Sequence, residues 1–89
     1  MGIKFTIDRE KGYYVASFSG RITDDIILKE YKDFFANEDW SPEMNALVDF
    51  GDCDLSAVTS QGMHSFARQV ADVARQNNWS PKVAVYAQE

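Results

Sequence analysis

Eighty-nine residues make one domain near the lower end of the usual size range, and a chain this short buries only roughly 60–65% of its unfolded surface. An apolar fraction of 45% with 13% aromatics is ample for a folded core and excludes a disordered chain. A formal charge of −5 argues against nucleic acid and anionic membranes, which need a basic surface; a single cysteine, Cys53, cannot form an internal disulfide and fits a reducing, cytoplasmic setting.

No apolar run reaches the ~18 residues needed to span a bilayer. Met1-Gly2-Ile3-Lys4 lacks the apolar core of a signal peptide and reads as a plain start rather than a myristoylation site. Ile3, Phe5 and Ile7 then alternate with Lys4, Thr6 and Asp8, a period of two that marks an edge strand with one wet face. Arg9-Glu10-Lys11-Gly12 is a turn, and Tyr13 to Ser19 is a second strand, paired with the first as an antiparallel hairpin and ended by Gly20.

Thr23 is placed to cap a helix from Asp24 to Ala36, with Asp24 and Asp25 in the first turn, where the dipole favours negative charge. Ile27, Tyr31, Phe34 and Phe35 form its apolar stripe. Ala46 to Phe50 reads as a central strand, apolar on both faces apart from Asp49, and Gly51 to Ser56 as an acidic turn. A second helix spans Val58 or Thr59 to Asn77, with Met63, Phe66, Ala67, Val70 and Ala74 inward and Arg68 placed to pair with Asp72. Asn77 and Asn78 stop it in αL, and Lys82 to Ala87 is a last strand. Asp39-Trp40-Ser41-Pro42 and Asn78-Trp79-Ser80-Pro81 echo each other as two equivalent helix-to-strand junctions, each tryptophan packing on a helix end.

The expected fold is therefore α/β, in the order β-β-α-β-α-β. It has a mixed four-stranded sheet, an N-terminal hairpin, three parallel strands and two helices mainly on one face. Strands spaced ~4.8 Å apart make a sheet about as wide as two helices of ~10 Å diameter, so the other face stays bare. Since the inner strands read as apolar on both sides, that face predicts a homodimer or a longer domain.

Tyr13 to Thr23, then a helix, then Leu47-Val48-Asp49-Phe50 resembles the SpoIIAA-like branch of the STAS superfamily, the anti-sigma-factor antagonists. Val58-Thr59-Ser60-Gln61-Gly62-Met63 is similar to that family's Ile-Asp-Ser-Ser-Gly-Leu box. The resemblance puts Ser60 on the phosphoacceptor serine, Gly62 on the glycine and Thr59 where the family has aspartate. It spans about residues 3 to 87; the segment from Asp49 to Ser60 is longer than in classical members, and the chain stops short of the family's last elements. What it implies is a non-enzymatic regulatory module, often dimeric, with an anti-sigma-factor-like kinase or another regulatory protein as partner.

The candidate residues each have a plain reading beside the functional one. Ser60 and Thr59 sit where helix-start N–H groups would stabilise a phosphate, and simple capping also explains them. Asp49, Asp52 and Asp54 offer oxygen ligands for Mg²⁺ or Ca²⁺, but a solvated turn is the simpler account. An EF-hand loop from Asp52 would need glycine where Ala57 stands and glutamate where Met63 stands. Cys53, flanked by Asp52 and Asp54, reads as an inert thiol, and His64 as a surface residue. Gly62 reads as a close helix–sheet approach. No dinucleotide fingerprint or P-loop is present, and no cofactor, metal or catalytic group is expected. Partner binding is assigned to Gly51 to Thr59 and the start of the second helix. The alternative function is a carrier for a small apolar or lipid-like ligand, with Tyr13, Tyr31, Phe34, Phe35, Trp40 and Trp79 lining the pocket.

Overall fold

Alternation at the N-terminus gives the hairpin. In a computed structural model that describes residues 2–79 and the strand at 83–86, β1 (Gly2–Asp8) pairs antiparallel with β2 (Tyr13–Thr23). Ile3, Phe5 and Ile7 stand opposite Phe18, Ala16 and Tyr14, so one face of the hairpin is apolar. Gly12 takes φ +71° in the turn, where its N–H reaches the Asp8 carbonyl at 3.0 Å. Helix α1 (Asp24–Phe35) leads into β3 (Asn45–Ala57), and α2 (Ser60–Asn77) leads into β4 (Val83–Tyr86). The sheet order is β1-β2-β3-β4; β2, β3 and β4 run parallel, with β1 antiparallel at the edge. Lys82 and Ala87, the outer residues of the expected last strand, and Ser80-Pro81 of the second junction lie outside the described residues.

Two strands are longer than their residues suggest. Gly20 does not end β2; it sits inside the strand at φ +70°, and β2 continues through Arg21 and Ile22 to Thr23. The acidic stretch is not a turn either, because β3 runs on to Ala57, with Ser19 opposite Asp52, Gly20 opposite Cys53 and Arg21 opposite Asp54. Gly-Asp-Cys-Asp has poor intrinsic strand preference, and it is ladder pairing with the extended β2 that holds it straight. The mismatch is absorbed by two irregularities, each inserting one extra β3 residue against β2.

Both helices lie on the face carrying Tyr14, Ala16 and Phe18, which alternation turns the same way. Thr23 Oγ1 accepts the Ile26 N–H at 3.3 Å and caps α1. That helix buries Ile27, Tyr31 and Phe34, roughly 1.5–3 kcal/mol of apolar burial for each large side chain. Phe34 stacks on Phe5 with centroids 4.1 Å apart. Phe35, Trp40 and Trp79 pack edge-on as a trio, so the two junction tryptophans meet each other as well as the end of α1.

Helix α2 differs from expectation in phase. Phe66, Val70, Val73 and Ala74 pack toward the core, whereas Ala67 is exposed and Met63 is 48% exposed. The phase is set by Gly62, the one buried residue of α2, which faces the start of α1 and turns Met63 outward. Asp72 pairs with Arg75, one turn on, and not with Arg68. Asn78 ends the helix in αL (φ 52°), its N–H on the Ala74 carbonyl. The open face of the sheet is polar at its rim, with Lys4 and Thr6 exposed on β1 and Ser19 and Arg21 on β2. Among the described residues its apolar part is an island of Tyr13, Val15 and Leu47, each only half-buried.

Candidate functional site

The starts of the two helices meet in one hydrogen-bonded corner. Thr59 caps α2: its Oγ1 accepts the Gly62 N–H at 3.0 Å. The same hydroxyl donates to Asp24 Oδ2 at 2.6 Å, and the Thr59 N–H donates to Asp24 Oδ1 at 2.9 Å. One carboxylate from the first turn of α1 thus binds both donors of the residue that opens α2. The Thr59 hydroxyl first, then its N–H, holds the Asp24 carboxyl below the usual carboxylate range. A Cβ on Gly62 would lie 2.1 Å from the Asp24 carboxylate carbon, so the glycine is needed for helix-to-helix contact, not for approach to the sheet.

Asp24 is the residue that sequence reasoning missed. Its place in the first turn marks it only as a dipole partner of its own helix; its contact with Thr59 joins positions 35 residues apart and leaves no local signal. It places a negative group at the α2 start. Ser60 is exposed, and among the described residues its hydroxyl has no hydrogen-bond partner. It lines a shallow depression of about 520 Å³ with Val58, Met63 and His64. The two hydroxyls therefore differ: that of Thr59 is committed to structure and that of Ser60 is free.

The three aspartates after the strand core do not converge. Asp49 Oδ1 accepts the Gly51 N–H at 2.8 Å, and Asp54 Oδ1 accepts the Ser56 N–H at 2.9 Å, so both side chains satisfy their own backbone. The Ser56 contacts, with a smaller contribution from Arg21, hold Asp54 below its ordinary value. Asp52 and Asp54 stand opposite Ser19 and Arg21 of β2, spread along a strand where a turn was expected to gather them. Among the described residues no three acidic, histidine or cysteine side chains share a metal-sized space. Cys53 Sγ donates to the Phe50 carbonyl at 3.4 Å. Partial burial, and then Asp54, Asp49 and Asp52, push its thiol pKa up and keep it protonated. His64 is exposed on α2.

One hollow is almost wholly apolar. A cavity of about 240 Å³ lies between α2 and the sheet. Its floor is Tyr14 and Phe18 of β2 with Ala46, Val48 and Phe50 of β3. Phe66 and Val70 of α2 lie over it, and Tyr31, Phe35 and Trp79 also line it. Of the aromatics expected to line a pocket, Tyr31, Phe35 and Trp79 do so. Phe34 packs on Phe5, Trp40 is buried against Phe35, and Tyr13 alternates to the open face. Phe18, Phe50 and Phe66 replace them, since they face each other only once α2 is folded over the sheet. Burial pushes the Tyr14 phenol up to about 12 and the Tyr31 phenol further, so both stay neutral donors.

No helix among the described residues is long and apolar enough to cross a membrane. No known family model matches the chain, and no curated protein does. Among solved structures, the chain is similar to an uncharacterized DUF3478-family protein with a SpoIIAA-like fold from Shewanella loihica PV-4. The two share 18% identity over 99% of this chain and 69% of that one, with a TM-score of 0.57. The chain therefore has an α/β fold of the SpoIIAA-like kind, with two helices and a mixed sheet.

Proposed function

We propose that this protein is a non-catalytic module that holds a small, neutral or weakly polar apolar ligand beneath α2. The observation that carries the reading is the cavity of about 240 Å³ with its almost wholly apolar wall. Close-packed interiors leave few voids above the size of a water molecule, and apolar cavities of ~150 Å³ stay dry and admit benzene. By proportion, this one takes about ten carbon atoms. Trp79 lies in the wall, so its fluorescence reports occupancy. Titration with 1-decanol is expected to give a saturable fluorescence change in the native chain and none in Val70→Phe, where a ring fills the space. A linear, unsaturable response in both proteins would remove the reading.

The second reading is the one the sequence put first, a regulatory protein–protein module of the anti-sigma-factor-antagonist type. What favours it is the SpoIIAA-like fold together with Leu55 and Met63, 40% and 48% exposed, the large apolar side chains most exposed among the described residues. They lie either side of Ser60 in sequence. In this reading the chain works in the cytoplasm, Ser60 takes the modification or contact, and a second copy covers Tyr13, Val15 and Leu47. Sedimentation of the native chain beside Leu47→Lys tests the self-association; identical monomers would refute it. The ligand ranks above the partner because the cavity has an almost wholly apolar wall, whereas Leu55, Ser60 and Met63 are simply exposed.

A further inference from the structure

A second hollow adjoins the cavity, and the two share one wall. It is a surface groove of about 480 Å³ along the seam of α1 and α2. Lys32 and Phe35 border it from α1, and Arg68, Gln69 and Val73 from α2. Phe35 also lines the apolar cavity, so the groove and the space beneath α2 share that ring.

The groove's chemistry is unusual for this chain. The whole protein carries a formal −5, yet Lys32 and Arg68 stand here without an ion-pair partner among the described residues. The one carboxylate on the groove, Asp72, is paired with Arg75. Gln69 is turned away from the groove's cations, its Nε2 donating to the Leu28 carbonyl at 3.2 Å. Two free cations outside, a shared ring and an apolar space inside are the parts of a site for a molecule charged at one end only.

We propose that groove and cavity form one site for a medium-chain carboxylate. Its anionic head rests between Lys32 and Arg68, and its chain of about ten carbons passes Phe35 into the cavity beneath α2. This rests on the ligand reading above and adds the class of ligand. A free carboxylate is the occupant, not a bilayer, because the cavity admits only a short chain.

Calorimetric titration with sodium decanoate, with 1-decanol and with anionic phosphatidylglycerol vesicles separates the terms. The native chain is expected to bind decanoate about three- to tenfold more tightly than decanol at low salt, the range for two exposed charge contacts. The double variant Lys32→Ala, Arg68→Ala is expected to close that gap while keeping its decanol affinity, which also serves as the check on its folding. Equal affinity for the two probes in the native chain, or a gap that survives the double substitution, overturns the carboxylate site and leaves the apolar cavity standing. Binding to neither probe overturns both. Binding to vesicles without binding to monomeric decanoate overturns the assignment to a free carboxylate.

Discussion

The two helices do the same topological job in opposite ways. Helix α1 is packed along its length: Ile27, Tyr31 and Phe34 are buried, and its rings interlock with Phe5, Tyr14 and Phe18. Helix α2 is longer, yet it buries only Gly62 and meets the core through half-buried side chains. It is fastened at its ends, by Asp24 to Thr59 at the start and by the Trp79 Nε1 bond to the Met44 carbonyl (2.9 Å) just past the finish. Between those fastenings it bridges the sheet and leaves the cavity. Where side chains fill the interface, position follows from packing; where they do not, a few hydrogen bonds set the geometry and space remains for something else.

That contrast can be broken most heavily at the packed end. Phe34→Ala is expected to cost about 3–5 kcal/mol by urea denaturation, and Phe66→Ala, already beside empty space, about half of that. Equal costs would mean that α2 is packed as tightly as α1. Trp79→Phe keeps an aromatic ring, smaller than the indole, but leaves the buried Met44 carbonyl without its donor, for an expected loss of about 1–3 kcal/mol.

The start of α2 offers a sharper comparison. Alanine normally gains about 1 kcal/mol over glycine inside a helix. Gly62→Ala is nonetheless expected to lower the melting temperature, because its methyl group must displace the Asp24 carboxylate from Thr59. In an Asp24→Ala background the same substitution is expected to raise it, and this sign reversal is the coupling that a double-mutant cycle reads. The corner also has a pH signature. Because the folded carboxyl of Asp24 lies below its unfolded value, its contribution is present above about pH 4 and is lost as pH falls through the lowered value. Asp24→Asn is expected to flatten that part of the melting-temperature profile. The smallest effect is at the cavity itself, where Val70→Phe is expected to be neutral or to stabilise by up to about 1 kcal/mol, since it fills space without displacing a neighbour.

How much of this can be read from residues alone follows from the same contrast. The hairpin and α1 are legible because their signals are local: alternation at Ile3, Phe5 and Ile7, a cap at Thr23, and a stripe at Ile27, Tyr31 and Phe34 that becomes the packed face. The β3 extension is illegible because Gly51 to Ser56 has turn chemistry, and only pairing with β2 keeps it extended. Helix α2 is legible in its bounds and not in its phase, since Met63 and Ala67 look as inward as Phe66 until Gly62 is placed against Asp24. Of the candidate residues, Thr59 and Ser60 fall at the helix start as expected, while Asp49, Asp52 and Asp54 are carried away from one another along a strand. The cavity is the least legible feature, because an unfilled volume leaves no mark on composition or spacing.

A ligand beneath α2 requires real empty space under a helix held at both ends. A crystal of the native chain under xenon pressure measures that directly. The prediction is one xenon site bounded by Phe18, Phe66 and Val70, with the backbone of α2 unmoved. A crystal that takes up no xenon there, with α2 settled onto Val48 and Phe50, would contradict it.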